Sequence, residues 1–407
     1  MREIFERAEN VIVWLGEDTG DANEAFKILR AIDPSSSELS IVDLIRTERG
    51  KALRKLLERS WFRRIWIVQE LIRARSATIK CGIHSMEWET FLDIAERLRY
   101  TGYYAMTLGT RIQDALHVLG NMRQYRQRRK LMVMSDLEAL LYDYRGCQAS
   151  NPRDKLFALV GIAHGQIAAA YNPDYSRDVL EVYRNLAIHL IIAERNPDFL
   201  THCDYIVGSQ APLLQSWVPD WSQPLHINPS LTATPNAYKA SAGTSSKGRV
   251  SEDLGELYLD GILLSKVEVL GGTGEWRSLR FDMVKQAKRD LERNEEYLDM
   301  FRQSPCYRGC YWSAFPRALV ADRDHTGSRV GQRDLSEAYV TYRKYSSWIL
   351  LLGATSRHTF WKECAEVEHD EVHEFAKAIN YASYGRNFCI FDDGRAGWVP
   401  QKAEVGD

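Results

Sequence analysis

The sequence predicts a protein of the α/β class, α+β overall, in which a helix-rich domain with a short buried sheet precedes a smaller mixed β/α C-terminal region. Residues Val11–Leu15 form a continuous apolar run that ends at Gly16, which is typical of a strand buried on both faces. Apolar residues then recur at helical spacing over residues 22–32. A second short strand is indicated at Ala77–Cys81. Strand, helices and strand in this order favour the α/β class.

Helical periodicity accounts for much of the remaining chain. The spacing predicts helices over residues 50–60, 62–73, 88–130, 135–144, 154–162 and 177–193. Beyond residue 252, the segment "GELYLDGILLSKVEVLG" indicates β structure. Further amphipathic helices are predicted over residues 280–302, 335–351 and 364–381. Two short strands are predicted around Asp393-Gly394, which is a hairpin signal.

A change in composition divides the chain into two domains. Residues 228–251 are rich in Ser, Thr, Ala and Gly and lack helical periodicity, so we interpret them as a loop or linker. The predicted domains are therefore residues 1–227, which are helix-rich, and residues 252–407, which contain β structure with a helical insertion. A length of 407 residues fits two or three domains of ~150 residues each.

Composition and charge argue against several classes of protein. Lys and Arg number 53 and Asp and Glu 55, so the net charge is −2 and no nucleic-acid partner is expected. A hydrophobic fraction of 45% argues against a disordered chain. No apolar run approaches the roughly 18 residues of a membrane span, and the charged start "MREIFERAEN" does not resemble a secretory signal. Seven cysteines without framework spacing fit a reducing compartment, so we expect a soluble cytoplasmic protein.

Candidates for metal and phosphate sites are weak. His369 and His373 lie four residues apart and could share a metal ion, but "HDEVH" lacks the order of the H-E-x-x-H motif. A solvated, acidic helix face explains these histidines better. The glycines of Leu270–Trp276 match no phosphate-binding motif, and a turn between strand and helix accounts for them. The basic run from Arg123 to Lys130 is interpreted as a solvated helix end. We therefore expect no metal and no cofactor.

The segment "WFRRIWIVQEL" holds the densest group of chemically distinctive side chains. On a continuous helix, Phe62, Trp66 and Gln69 would share one face. Arg64 and Glu70 would lie beside that face. An amide and a carboxylate among tryptophans predict a buried, hydrogen-bonded network, because unpaired burial would be costly. Two interpretations remain open, a ligand pocket and a structural lock between elements.

Six distinctive blocks occur in order along the chain: "AENVIVWLGE", "WFRRIWIVQEL", "IKCG" followed by Trp88, "NPRDKLFALVGIA", "YNPDYSRDVLEVYRNLA" and "SWVPDWS". Together they resemble the fungal heterokaryon incompatibility (HET) domain family. The later segment "GRNFCIFDDGRAGWVPQKAEVGD" is similar to a glycine-rich β segment found downstream of that domain. The resemblance marks one set of residues as a functional or structural motif cluster: Trp14, Gly16, Trp61, Phe62, Arg64, Trp66, Gln69, Cys81, Gly82, Asp154, Asp174, Trp217, Asp220 and Trp221.

The resemblance implies an effector of fungal non-self recognition, or vegetative incompatibility, that triggers programmed cell death when incompatible cells fuse. Such an effector implies control by protein partners or self-association. Family members normally carry two further blocks upstream, one Ser-Tyr-x-Trp-Gly-like and one Trp-Ile-Asp…Cys-Ile-Asn-Gln-like. They also continue through more β structure downstream. The chain therefore resembles a family member shortened at both ends.

Two alternative functions follow from the same resemblance. A distant kinship of the family to TIR domains implies NAD cleavage, for which a TIR-type enzyme needs a glutamate in a nucleotide-accessible cleft. Glu70, among Trp and Arg residues, is then the candidate catalytic residue, and Arg64 would line the same pocket. The second alternative is an inactive, shortened member of the family.

The aspartates of three blocks also have structural explanations. Asp154 begins a predicted helix, where a carboxylate stabilises the free amides and the helix dipole by ~1 kcal/mol. Asp174 and Asp220 lie in turn sequences, in which an aspartate bonds nearby backbone amides. We therefore expect structural rather than catalytic roles for these three residues.

Overall fold

The structure of the 407-residue chain is a computed structural model. The structure describes residues 2–32, 41, 44–45, 47–105, 110–131, 137–163, 173–195, 197–203, 214–223, 247–273, 283–304, 311–324, 329–331, 334–352, 374–376, 378–379, 382–383 and 385–407. The chain divides into two compact units, Met1–Ala193 with Ile206–Pro224, and Glu194–Tyr205 with Leu225–Asp407. The α/β class predicted from the sequence is confirmed. The domain limits drawn from composition remain a prediction.

The first unit contains a three-stranded mixed sheet in the order β1-β2-β3. Its strands are β1 (Val11–Trp14), β2 (Ala77–Cys81) and β3 (His84–Glu87). β1 pairs parallel with β2, and β2 pairs antiparallel with β3. The described helices of this unit are α1 (Arg2–Arg7), α2 (Ala22–Ala31), α3 (Gly50–Leu57), α4 (Trp66–Arg73), α5 (Trp88–Ala105), α6 (Thr110–Lys130), α7 (Leu137–Asp143), α8 (Asp154–Val160) and α9 (Val179–Ile192).

The prediction that the first strand is buried on both faces is wrong. Val13 is buried, whereas Ile12 and Trp14 are 59% and 46% exposed. The neighbouring strand β2 has the same alternation, with Ile79 buried and Lys80 half-buried. Successive side chains of a strand point to opposite faces of its sheet. β1 therefore contributes Val13 to the core and presents an apolar face to solvent.

The helix predicted over residues 62–73 is instead two elements. A 3₁₀ helix covers Ser60–Arg63, and α4 begins only after a break. At the break, Arg64 has an extended backbone with φ −76° and ψ 135°. The Ile65 amide donates to the Gln148 carbonyl at 2.9 Å. This bond to a distant segment uses a backbone group that a continuous helix would need, so the helix is interrupted.

Two arginines of the basic run bond the C-terminal end of α4, so the interpretation of Arg123–Lys130 as a solvated helix end is wrong for them. Arg126 is 4% exposed and donates to two carbonyls within residues 71–74. Arg129 donates to the carbonyls of residues 72 and 73 at 2.9 and 2.6 Å. The last carbonyls of a helix have no partner inside it, so these guanidinium groups supply the missing donors. Glu89 lies 2.5 Å from Arg126 and pairs its buried charge.

A half-buried carboxylate links α6 to the end of α7. Asp143 accepts a hydrogen bond from the Tyr125 hydroxyl at 2.7 Å, and the Asn121 amide donates to the Asp143 carbonyl at 3.1 Å. Burial raises the pKa of Asp143 to about 6, against the opposing effects of the Tyr125 bond and the Arg128 charge. The folded protein therefore keeps a proton on this carboxyl group at pH values where the unfolded chain has lost it.

Over its described residues, the second unit contains a two-stranded and a three-stranded sheet. The strands are β4 (Gly248–Val250), β5 (Leu257–Leu259), β6 (Val267–Thr273), β7 (Arg386–Phe391) and β8 (Ala396–Pro400). The described helices are α10 (Met283–Gln303), α11 (Tyr311–Leu319) and α12 (Ser336–Leu352). The hairpin predicted at Asp393-Gly394 is confirmed, with Gly394 at φ 81°. The predicted linker is corrected at its end, because residues 248–250 pair with β5 as a strand.

An aromatic core holds the second unit together. Phe388 of β7 stacks on Tyr297 of α10 at 4.8 Å and meets Phe315 of α11 edge-on at 6.1 Å. Gly271 lies inside β6, where an added Cβ would come within 2.8 Å of the Met300 sulfur. The glycine turn predicted here is therefore a strand over its described part, and Gly271 permits the close approach of α10.

We expect the Asp143→Asn variant to gain stability relative to the wild type as the pH rises from about 4 to about 6. Below this window the carboxyl group is protonated in both the folded and the unfolded state. Above it the folded state must bury a charge, so wild-type stability is lost as the pH rises through the window. The relative gain should reach about 2 kcal/mol, measured by urea unfolding across the range.

Tyr125→Phe is the companion variant for this measurement. It removes the hydrogen bond that lowers the pKa of Asp143, so the loss of stability should extend to a higher pH. Identical pH profiles for the wild type and Asp143→Asn would show that this carboxyl group does not titrate differently in the folded state.

Candidate functional site

The loop that follows β1 is held by one arginine. Arg59 donates to the Leu15 carbonyl at 2.6 Å and, from both terminal nitrogens, to the Glu17 carbonyl at 3.3 Å. The same guanidinium lies 3.9 Å from the carboxylate of Asp21. A planar fork of N–H donors can serve several acceptors at once. This side chain therefore ties residues 15, 17 and 21 of the loop together.

Two glycines allow this loop to meet the turn after β2. Gly16 and Gly82 have φ values of 104° and 54°, which glycine adopts without the steric cost of a side chain. The Gly82 amide donates to the Gly16 carbonyl at 3.0 Å, and a Cβ on Gly82 would lie 2.9 Å from the Asp18 Cβ. Burial raises the pKa of the Cys81 thiol, whose sulfur lies 3.7 Å from the Glu17 carbonyl. The blocks "WLGE" and "IKCG" are therefore one structural feature.

A cleft of about 380 Å³ opens at this loop, at the carboxyl end of β1. Its lining combines cations, a carboxylate, hydroxyls and an indole ring: Leu15, Thr19, Asp21, Lys55, Arg59, Ser60 and Trp61. In α/β proteins, ligands bind in the crevice outside the carboxyl ends of the strands. The exposed ammonium of Lys55 and the ring of Trp61 suit a small anionic ligand that also carries an aromatic group.

The carboxylate of Asp154 joins three of the sequence blocks. It accepts a hydrogen bond from the Trp66 indole N–H at 3.0 Å and from the Tyr175 hydroxyl at 2.6 Å. Asp154 is the first residue of α8, so its carboxylate lies in the first turn of that helix, as the sequence predicts. Its two hydrogen bonds also tie α4 and the turn before α9 to α8.

The turn before α9 is ordered by its own aspartate and by an arginine. Asp174 accepts hydrogen bonds from the amide and hydroxyl of Ser176 at 2.9 and 2.6 Å, and these bonds lower its pKa. Arg153 donates to the carbonyls of Tyr175 and Arg177 at 2.6 and 2.5 Å. Its guanidinium also lies 5.4 Å from the centre of the Tyr175 ring. The NPRD and NPDYS blocks are thus bonded directly to each other.

The "SWVPDWS" block forms a second ordered turn. Asp220 accepts hydrogen bonds from the amide and hydroxyl two residues later, at 3.0 and 2.5 Å. The buried Arg145 donates to the Asp220 carbonyl at 2.7 Å. Trp221 is buried and meets Tyr183 of α9 edge-on at 5.3 Å, while Trp217 is also buried. These contacts place the block beside α9.

The polar residues of α4 do not line the cleft. Glu70 is half-buried and absent from the cleft lining, and burial raises its pKa against the opposing charge of Arg64. Gln69 is buried, and its amide nitrogen would lie 2.0 Å from a Cβ added to Gly161. Gln69 therefore packs against the end of α8, while Arg64 is exposed.

The motif residues separate into two groups in the structure. Gly16, Trp61, Cys81 and Gly82 meet around the loop and cleft, and Phe62 packs beneath them against Phe91 at 5.9 Å. The second group surrounds α8 and α9: Trp66, Gln69, Asp154, Asp174, Trp217, Asp220 and Trp221. Trp14 and Arg64 belong to neither group, since both are exposed.

Sequence reasoning missed the cations that hold these turns. Arg59, Arg145 and Arg153 stand in stretches that read as ordinary charged surface. The local sequence gives one signal, which is that two of these arginines lie at or within a distinctive block. Arg59 directly precedes "SWFRR", and Arg153 lies within "NPRD". The structure identifies them because their targets are backbone carbonyls distant in sequence.

Among the residues that the structure describes, no group of three or more His, Cys, Asp or Glu side chains could hold a metal ion. The candidate pair His369 and His373 lies outside those residues. Within the same described part of the chain, no helix combines the length and the apolar character needed to cross a membrane.

Two comparisons with known proteins bear on this site. The family model described as "Heterokaryon incompatibility protein (HET)" matches residues 1–70. The curated protein named heterokaryon incompatibility protein 6, OR allele, of Neurospora crassa is 22% identical over 282 residues. That match covers 54% of this chain and 41% of the relative, so the chain spans about two fifths of the relative's length. No solved structure matches the chain.

The matched region contains β1, the loop after it and every residue that lines the cleft. The family model therefore applies to the first 70 residues of the α/β unit, which carry the cleft. Over this region the chain is similar to heterokaryon incompatibility (HET) domain proteins, in line with the resemblance of the six sequence blocks.

We expect Asp154→Asn to lower the free energy of unfolding by about 1 to 2 kcal/mol, because the indole and hydroxyl donors lose a charged acceptor. Trp66→Phe removes one of these donors and should cost about 1 kcal/mol. In a double-mutant cycle the two changes should couple by about 1 kcal/mol, because the groups are in direct contact. Urea unfolding of the four proteins measures the coupling.

Asp174→Asn is the matched control for this cycle. Among the described residues, Asp174 bonds only members of its own turn, so its substitution should be additive with Trp66→Phe. Additivity between Asp154→Asn and Trp66→Phe would remove the case for a connecting role of Asp154.

Proposed function

We propose that the chain acts as an effector of fungal heterokaryon incompatibility, with programmed cell death as the outcome when incompatible cells fuse. The observation that carries this proposal is the match of the HET family model to residues 1–70, the region that contains the whole cleft lining. The relative from Neurospora crassa is itself named as an incompatibility protein. The proposed role also places the chain in the cytoplasm, under the control of a protein partner or of self-association.

The test is survival of fungal cells in which this chain is induced in the cytosol. We expect a loss of viable colonies while the protein stays soluble. Lys55→Glu should restore survival, because it reverses the exposed charge of the cleft wall. Lys51→Glu is the matched control, since Lys51 is an exposed lysine of the same helix that does not line the cleft.

Soluble protein must be quantified in each strain. Full survival with ample soluble wild-type protein would contradict the effector role and favour an inactive member of the family. Equal effects of Lys55→Glu and Lys51→Glu on survival would show that cell death does not depend on the charge of the cleft.

A second candidate function, hydrolysis of a nucleotide such as NAD, is favoured by the chemistry of the cleft. Lys55 can attract a phosphate, Trp61 offers a ring for stacking, and Asp21 supplies a carboxylate in the same lining. Glu70 remains the catalytic candidate implied by the kinship to TIR domains, with its pKa raised by burial. Glu70 is absent from the cleft lining, so a reaction that it carries would take place at a different opening.

Purified chain incubated with NAD⁺, with products separated by chromatography, tests this second candidate. Loss of turnover in Trp61→Ala with turnover kept in Glu70→Ala would assign the reaction to the cleft. Loss in Glu70→Ala alone would assign it to a different opening. Absence of turnover in a folded wild-type preparation would reject the enzyme and leave the effector proposal standing.

A further inference from the structure

Three consecutive aliphatic side chains are exposed between β5 and β6. Ile262, Leu263 and Leu264 are 87%, 75% and 71% exposed. Single exposed apolar residues are ordinary on protein surfaces, but contiguous ones mark sites of interaction. The run therefore needs a partner that covers it.

Within the described part of the chain, the backbone of the same segment forms no hydrogen bonds. It belongs to neither β5 nor β6, and residues 260–264 exchange no hydrogen bond with any described residue. Bonding resumes at Lys266, whose carbonyl accepts from the Asp392 amide at 2.9 Å. A segment with free N–H and C=O groups and apolar side chains is a template for pairing with another strand.

The sequence "DGILLSK" of this segment is complementary to itself. In an antiparallel pairing of two copies centred on Leu263, Asp260 lies opposite Lys266 of the partner subunit. Ile262 then lies opposite Leu264 of the partner subunit, and Leu263 meets Leu263 of the partner subunit at the axis. Opposite charges and aliphatic pairs that face each other across two strands stabilise the pairing. Register is set by these contacts, since a shift by one residue would separate the charges.

The exposed strand β1 is not complementary to itself in this way. Ile12 and Trp14 are exposed there, but an antiparallel pairing about Val13 would place Glu9 opposite Glu17 of the partner subunit. Like charges directly opposite each other destabilise a strand pair. Charge complementarity therefore distinguishes the segment before β6 from the exposed apolar face of β1.

We propose that residues Asp260–Lys266 form the interface with a second copy of this chain, as a symmetric antiparallel strand pair centred on Leu263. An adjacent apolar depression of about 430 Å³ extends the surface available to the second copy, and its lining includes Val267, Val399 and Pro400. A two-fold arrangement presents the same patch from each copy, so the assembly closes as a dimer. The inference concerns assembly and holds whichever activity the cleft carries.

Sedimentation velocity of the full chain over a range of micromolar concentrations tests the proposal. We expect a dimer of the 46.8 kDa chain, and Leu263→Asp should raise the dimer Kd at least tenfold, because two carboxylates would meet at the axis. Ile83→Asp is the matched control, since Ile83 is 90% exposed in the first unit and should leave the Kd unchanged. Circular dichroism verifies that both variants are folded.

A charge exchange tests the register. Asp260→Lys alone should raise the dimer Kd about tenfold, because lysine then faces lysine twice in each dimer. The double variant Asp260→Lys with Lys266→Asp restores opposite charges and should return the Kd to the wild-type value. A double variant no better than the single one would overturn the antiparallel register.

Cysteine cross-linking locates the axis. Leu263→Cys should oxidise to a dimer linked through residue 263, identified by mass spectrometry of the linked peptide, because the two copies meet there. Ile262→Cys faces a different residue and should cross-link far less. A monomer at every concentration, a dimer unchanged by Leu263→Asp, or an open-ended assembly would overturn the proposal.

Discussion

Hydrogen bonds from cationic side chains to backbone carbonyls hold the first unit in its shape. Arg59 bonds the loop after β1, Arg126 and Arg129 bond the end of α4, and Arg145 bonds the "VPDW" turn. Lys155 adds a buried ammonium 2.8 Å from the carbonyl of residue 145. Many of these carbonyls lie where a helix or strand ends and its repeating hydrogen bonds stop. Burial of a cation is tolerable only where acceptors surround it, so these side chains lie where helices end and turns begin.

The cleft is a product of the same constraint. Arg59 holds the loop on one side of the cleft and is itself part of the lining. Trp61 forms another wall because the 3₁₀ helix Ser60–Arg63 stops where the chain pairs with Gln148. The backbone hydrogen bond between Ile65 and the distant residue Gln148 therefore helps to position the Trp61 ring in the cleft wall.

The six blocks that resemble the HET family are joined by direct contacts. Asp154 bonds Trp66 and Tyr175, while Gly82 bonds Gly16, so blocks far apart in sequence meet as two compact groups. One group borders the cleft and the other fixes α8 and α9. The exposed segment before β6 lies in the second unit, whereas the cleft lies in the first. Substitutions can therefore test the proposed dimer and the chemistry of the cleft independently.

The sequence by itself determined the α/β class, most helix positions, the hairpin at Asp393-Gly394 and the resemblance to the HET family, because periodicity, turn residues and motif order are local properties. It also placed Trp61 among the site residues. Only the tertiary structure decided that Trp14 is exposed, that the helix breaks at Arg64 and that Arg126 is buried. An arginine on a helix has the same local sequence whether it meets water or the carbonyls of another helix. Which of these it meets depends on contacts between distant segments, and single-sequence patterns do not record them.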